Sequence, residues 1–133
     1  MPQIVIHRAF RPNVFCYDIK LKGNNRTIPV RAMFDTGATK TAISKTIAHV
    51  LGLVPVGLGD SFAASGLHTF PKYIVCLELR ADFIVPQLEV YGVDIGDNGY
   101  DVVIGMDIIS QGNFSIMRES NKQTLIFQAD YTK

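Results

Sequence analysis

Charge, cysteine and histidine are all scarce in this chain of 133 residues, and no long apolar run occurs in it. Charged side chains make up 19% of the sequence, and 13 basic groups stand against 12 acidic ones, a formal net charge of +1. So even a balance gives no long-range pull toward nucleic acid or an anionic membrane, and neither is expected as a partner. Cys16 and Cys76 are the only cysteines. They form no CxxC or other metal-type spacing and read as reduced core thiols. His7, His49 and His68 are scattered, so no metal site and no cofactor are expected. No apolar stretch approaches the ~20 residues of a membrane span. The first residues, "MPQIVIHRAF", lack the apolar segment of a signal peptide, which points to a soluble, cytoplasmic protein. Low-complexity stretches, charge blocks and Pro/Gly/Ser linkers are absent too. Residues 1–133 therefore read as a single domain, long enough to bury a core without metals or disulfides.

What is abundant is apolar residues in alternation. In "VFCYDIKLK" Phe15, Tyr17, Ile19 and Leu21 alternate with Cys16, Asp18, Lys20 and Lys22, the pattern of a strand with one buried face. "KGNNR" then supplies turn residues that tolerate positive φ. "TIPVRAMF" returns with Ile28, Val30, Ala32 and Phe34 alternating, so Asp35 stands at the end of a hairpin. Further strands are expected at 73–80, 83–93, 100–105, 114–118 and 123–128, with an edge or bulge at Pro86. Ser44 is placed to cap a short helix through Leu51, with Ile47, Val50 and Leu51 inward and Gly52 as its stop. A second helical turn is expected from Asp107 to Gln111. Many short strands with one or two small helices predict a mostly-β domain built as a closed or packed barrel.

The chemistry concentrates at "AMFDTGATKTAIS", residues 32–44. Gly37, with no Cβ, permits close approach of a ligand, and Ala38 keeps space beside the carboxylate of Asp35. The Thr36 hydroxyl can lock the loop by bonding backbone. An ordinary Asx-type turn explains the tetrapeptide equally well on its own. Other constellations fail. "GLGDSF" (57–62) has Phe62 where a phosphate loop wants its third glycine, and no serine lies in a GxSxG. "VDIGDN" (93–98) repeats Asp-x-Gly without a hydroxyl residue and reads as a loop.

The longer segment "MFDTGATKTAISKTIAHVLGL" resembles the active-site stretch of retropepsin-like aspartic proteases. Two further pieces follow in that family's order. "SFAASGLHTF" (61–70) resembles the flap hairpin, and "YDVVIGMDIIS" (100–110) resembles the apolar-apolar-Gly segment and helix that support the catalytic loop. The resemblance implies a closed, barrel-like acid-protease (retropepsin) fold with a flap. It implies an endopeptidase active as a homodimer, since one Asp-Thr-Gly per chain needs a second copy to complete a site. Asp35 would be catalytic, supported by Thr36, Gly37, Ala38, Ile104 and Gly105. The flap residues Ala64, Ser65, Gly66 and Leu67 would grip an extended peptide substrate. Thr36 of each chain would brace the loop of the other. Val54, Val56 and Ile104 suggest apolar subsites, and His68 reads as a solvated loop residue. Retropepsin dimers pair their chain ends in a shared sheet, so "QTLIFQADYTK" could supply an interface strand, with "QIVIHRAF" pairing to it or folding back. Two alternatives stay open: a non-catalytic dimeric peptide-binding module of the same fold, and a structural β-domain in which Asp35 is a turn residue.

Overall fold

The structure, a computed structural model, describes residues 1–7, 9–63 and 65–129. The hairpin before the key aspartate forms as its alternation predicts. Strands β2 (Cys16–Gly23) and β3 (Arg26–Phe34) pair antiparallel from Cys16 opposite Met33 to Gly23 opposite Arg26. The two turn residues between them, Asn24 and Asn25, have φ of 51° and 60°, the backbone of a two-residue hairpin whose twist matches its strands. Ile19, Leu21, Val30, Ala32 and Phe34 all face the core.

A barrel grows from that hairpin by pairings distant in sequence. β3 runs parallel to β8 (Val102–Ile104), and β8 runs antiparallel to β4 (Ala42–Ser44). β4 runs parallel to β7 (Phe83–Val93), which pairs antiparallel with β6 (Gly66–Arg80). β6 returns to β2 through Leu21 opposite Leu77, and the ring of six strands closes. Closure leaves the barrel without free edges. β5 (Gly57–Ala63) stands outside the ring and pairs with β6, so the two project as a hairpin. Pro86 sits at a bulge, where Pro86 and Gln87 oppose Cys76 between two register points, and Gln87 takes φ 49°.

A separate three-stranded sheet forms from the chain ends, in the order β1 (Gln3–Ile6), β10 (Lys122–Gln128), β9 (Asn113–Glu119). The N-terminal segment thus pairs with the C-terminal strand of its own chain, Ile4 opposite Phe127. The sheet is bolted to the barrel by aromatic rings. The Phe127 ring lies 6.0 Å from Phe34 and 5.7 Å from Phe83, and Phe114 lies 6.1 Å from Phe34. Phe127 and Phe83 are fully buried, each worth about 1.5–3 kcal/mol of apolar transfer. This cluster packs directly behind the residue preceding Asp35. The last residues of the segment "QTLIFQADYTK", from 130 on, lie outside the described residues.

The helices differ in detail from expectation. α1 (Lys45–Val50) has Ser44 as N-cap, its hydroxyl accepting from the Thr46 amide at 3.1 Å, and Gly52 follows with φ 65°. Val50, however, is 46% exposed, and Ala48 is the residue that faces inward. At about 100° per residue, Ile47, Ala48 and Leu51 share one stripe and Val50 falls on its flank. α2 (Met106–Ile109) begins one residue earlier than expected and ends two residues sooner.

Candidate active site

Asp35 is held by its backbone first. Its amide donates to the Ile104 carbonyl at 2.9 Å, which continues the β3–β8 ladder one step past the strand end. The Met106 amide donates to the Ala38 carbonyl at 2.7 Å, and the Asp107 amide to Thr39 at 3.2 Å. The loop 35–39 is therefore stitched along both sides to the segment 104–107. Gly105 is required at this crossing. A Cβ there would lie 2.8 Å from the Ala38 oxygen and 2.8 Å from the Lys40 carbonyl carbon, both backbone atoms that cannot move aside independently.

A buried polar bolt completes the support. Thr41 is fully buried, and its amide and hydroxyl both donate to the Asp107 carboxylate, the hydroxyl at 2.7 Å. The Gly105 amide donates in turn to the Thr41 hydroxyl at 3.2 Å. Every polar group of the bolt is thereby satisfied, as burial demands. Thr41 and Asp107 were not singled out from the sequence for this role. The available signal was a threonine six residues beyond the aspartate together with the "GMD" that opens the second helix.

The carboxylate itself is half-buried. Its Oδ1 accepts from the Gly37 amide at 2.8 Å, and Ala38 closes the turn by donating to the Asp35 carbonyl at 3.2 Å. That contact is the Asx-type turn which a purely structural reading of Asp35 also expects. It uses one oxygen; among the described residues Oδ2 has no hydrogen-bond partner. Thr36 is exposed, and its hydroxyl bonds no backbone group among the described residues, so it does not lock its own loop. A cavity of about 410 Å³ opens beside Asp35 and Thr36, with Phe34, Met33, Phe114 and Ile116 in its walls.

The β5–β6 hairpin places Gly66 at its tip with φ 112°, where the Ser65 hydroxyl and His68 Nε2 are 2.6 Å apart. Ala64 lies outside the described residues. Leu67 and Phe62 stand opposite one another and are 56% and 81% exposed, an apolar tip facing solvent. The root of the hairpin is tied to the aspartate loop through Tyr91. The Tyr91 ring stacks on Phe70 at 5.8 Å, its hydroxyl donates to the Asp60 carbonyl at 3.3 Å, and the Lys40 ammonium sits 4.9 Å above its centre. Lys40 also ion-pairs with Glu89, which holds that carboxyl below its ordinary value, chiefly by hydrogen bonding. Val54 and Val56 are exposed, as subsite residues must be, but Ile104 is fully buried inside the barrel. It supports the loop through its carbonyl and cannot line a subsite. Among the described residues no group of three or more His, Cys, Asp or Glu could hold a metal, and no helix is long and apolar enough to cross a membrane.

A six-stranded closed barrel, a projecting hairpin and an Asp-Thr-Gly loop braced by a Gly-containing segment define the retropepsin-like class of aspartic-protease folds. The chain belongs to the family described as gag-polyprotein putative aspartyl protease, which matches residues 19–111. A retropepsin-like aspartic protease from Rickettsia conorii is similar in structure, with a TM-score of 0.61 at 20% identity, covering 95% of this chain and 91% of that one. The retroviral protease-like domain of Ddi1 from Leishmania major aligns with a TM-score of 0.46 at 16% identity, over 88% of this chain and 97% of that chain. A protein of unknown function from Legionella pneumophila aligns with a TM-score of 0.42 at 15% identity, over 71% and 84% of the two chains. No curated protein matches the sequence.

Proposed function

We propose that the protein is an aspartic endopeptidase, active as a homodimer in the cytoplasm, in which Asp35 of each chain activates water against the peptide bond of an extended substrate. The observation that carries this reading is the double-sided suspension of loop 35–39 on segment 104–107. It presents a half-buried carboxylate with one oxygen engaged by Gly37 and the other unengaged among the described residues. Two such carboxylates brought together cannot both carry charge at short range, so the pair shares a proton. The charged member then serves as general base on a water, while the protonated member polarises the scissile carbonyl. Because the two chains are equivalent, the roles belong to the pair. The Thr36 hydroxyls, exposed beside each Asp35, would brace the opposite loops.

The second copy has a place to dock. β10 is paired on both sides within the chain, which leaves β1 and β9 as the two edges of the sheet, and β9 is the one beside Asp35. Ile116 and Met117 on it are 51% and 58% exposed, and Phe114 and Ile116 share the cavity wall with Asp35 and Thr36. Antiparallel pairing of two β9 edges would bring both aspartate loops to one interface. The exposed apolar hairpin tip would close on substrate through backbone hydrogen bonds, a form of strand addition. Free thiols at Cys16 and Cys76 suit a reducing compartment.

Cleavage of a diverse peptide library, read by mass spectrometry from about pH 3.5 to 7.5 beside Asp35→Asn, tests the reading. Cuts made by the native chain and not by the variant support it. A dimeric native protein that binds peptides but leaves them intact would assign the non-catalytic binding module instead.

A further inference from the structure

At the end of the terminal sheet lies an open groove of about 750 Å³ that the proposed chemistry does not use. Three segments meet there: the loop following β1, which brings Arg11; the end of β9, which brings Arg118; and the start of β10, which brings Lys122. His7, Asn121 and Gln123 complete the principal lining. No carboxylate contributes to it, although the whole chain carries 12 acidic groups against 13 basic ones. The overall balance therefore hides a local concentration of positive charge. Among the described residues none of the three cations belongs to an ion pair, whereas Lys20, Lys22, Arg31, Lys40, Lys45, Lys72 and Arg80 all do. The one carboxylate of the β9–β10 hairpin, Glu119, stands opposite Lys122 in the register without forming an ion pair with it, while Arg118 stands opposite Gln123. Arg11 is further oriented by its own neighbour, its guanidinium lying 5.7 Å from the Phe10 ring centre.

We propose that the groove framed by Arg11, Arg118 and Lys122 binds a small oxyanion carrying several negative charges, of the oligophosphate or tricarboxylate type. Two guanidinium forks and an ammonium border one groove with side-chain amides, a set rich in donors whose shapes match phosphate and carboxylate oxygens. Like charges gathered from three segments repel one another, and a multivalent anion relieves that repulsion in one event. No Phe, Tyr or Trp lines the groove, so recognition is chiefly of charge and oxygen geometry. The site is open to water, so binding is weakened by salt and favours high valence. A bound anion would also tie the segment after β1 to the β9–β10 hairpin.

Isothermal titration of the full chain with tripolyphosphate and, separately, citrate, each at constant ionic strength, tests the proposal beside Arg118→Gln combined with Lys122→Gln. Saturable binding by the native chain is expected, weakened about tenfold or more in the double variant and largely kept in Arg118→Lys. Binding of tripolyphosphate alone would assign phosphate as the ligand group, and of citrate alone, carboxylate. These side chains are exposed, so the variants should unfold at the native temperature without anion. If the double variant does not fold, Arg11→Gln replaces it. Absence of saturable binding of either anion, or equal affinity in native and folded variant, would overturn the proposal.

Discussion

A methyl group added at Gly105 would meet backbone atoms of residues 38 and 40 on the opposite strand of the loop. The loop cannot yield there without displacing the Asp35 amide from Ile104. Gly105→Ala should therefore cost about 1–3 kcal/mol in urea unfolding, and peptide cleavage should fall more steeply than stability. Asp107→Ala should cost about 2–3 kcal/mol, because it strands a fully buried Thr41 hydroxyl and amide without an acceptor. Asp107→Asn, which keeps one acceptor, should fall between. Cys16 reports on its own surroundings. Partial burial pushes its thiol above the ordinary value, and the nearby Arg31 and Arg11 only partly oppose this. Since the thiolate is the nucleophile, alkylation of Cys16 at pH 8 should be slower than that of the same residue in the unfolded chain, as peptide mapping would show.

At the scale of elements, the hairpin root is the place where two parts of the site communicate. Gly59 lies against Tyr91, and a Cβ there would sit 2.4 Å from the ring. Gly59→Ala should push the Tyr91 ring off Phe70 and loosen the hairpin over the cleft. The expected result is a raised KM for peptide with little change in kcat, as a substrate-gripping element requires. The Lys40–Glu89 pair stands beside the same tyrosine. The Glu89 carboxyl is lowered in the folded chain, so its contribution is fully present above the ordinary carboxylate value. It is lost as pH falls through the lowered folded value. Glu89→Gln should accordingly lower the neutral plateau of the thermal-stability profile slightly and flatten its acid side, since the variant has no such contribution to lose as pH falls.

For the whole molecule, the decisive surface is the edge of β9. Ile116→Lys places a charge in the middle of that open apolar strand without touching the barrel core. Sedimentation of the variant should show a monomer, and peptide cleavage should disappear with the dimer. Thr36→Ala should weaken the dimer and spare the fold, since its hydroxyl contacts no described group of its own chain. A native protein that sediments as a monomer with full cleavage would contradict the dimeric site.

Local signals were readable in the sequence because their causes are local. Period-two alternation marks the faces of β2 and β3 and puts Asp35 just past a strand end. The paired asparagines mark the turn, and Ser44 and Gly52 mark the ends of α1. Alternation could not reveal a strand of three residues such as β4, nor that Val50 would fall outside the narrow stripe of so short a helix. Tertiary structure alone decided which distant segments meet. Parallel pairing of β3 with β8 joins residues 70 apart, Ala32 with Val102. The Thr41–Asp107 bolt spans 66 positions, and although the resemblance paired the two segments, it did not say which side chains would join them. The pairing of β10 with both β1 and β9 likewise places the C-terminal strand at the centre of its sheet and leaves β1 and β9 as its edges. Backbone groups must find partners somewhere, and only closure of the whole barrel determines which remain unpaired. The sequence determined that a carboxylate would follow an apolar strand in a tight turn; the fold decided what holds it there and which strand edges stay open.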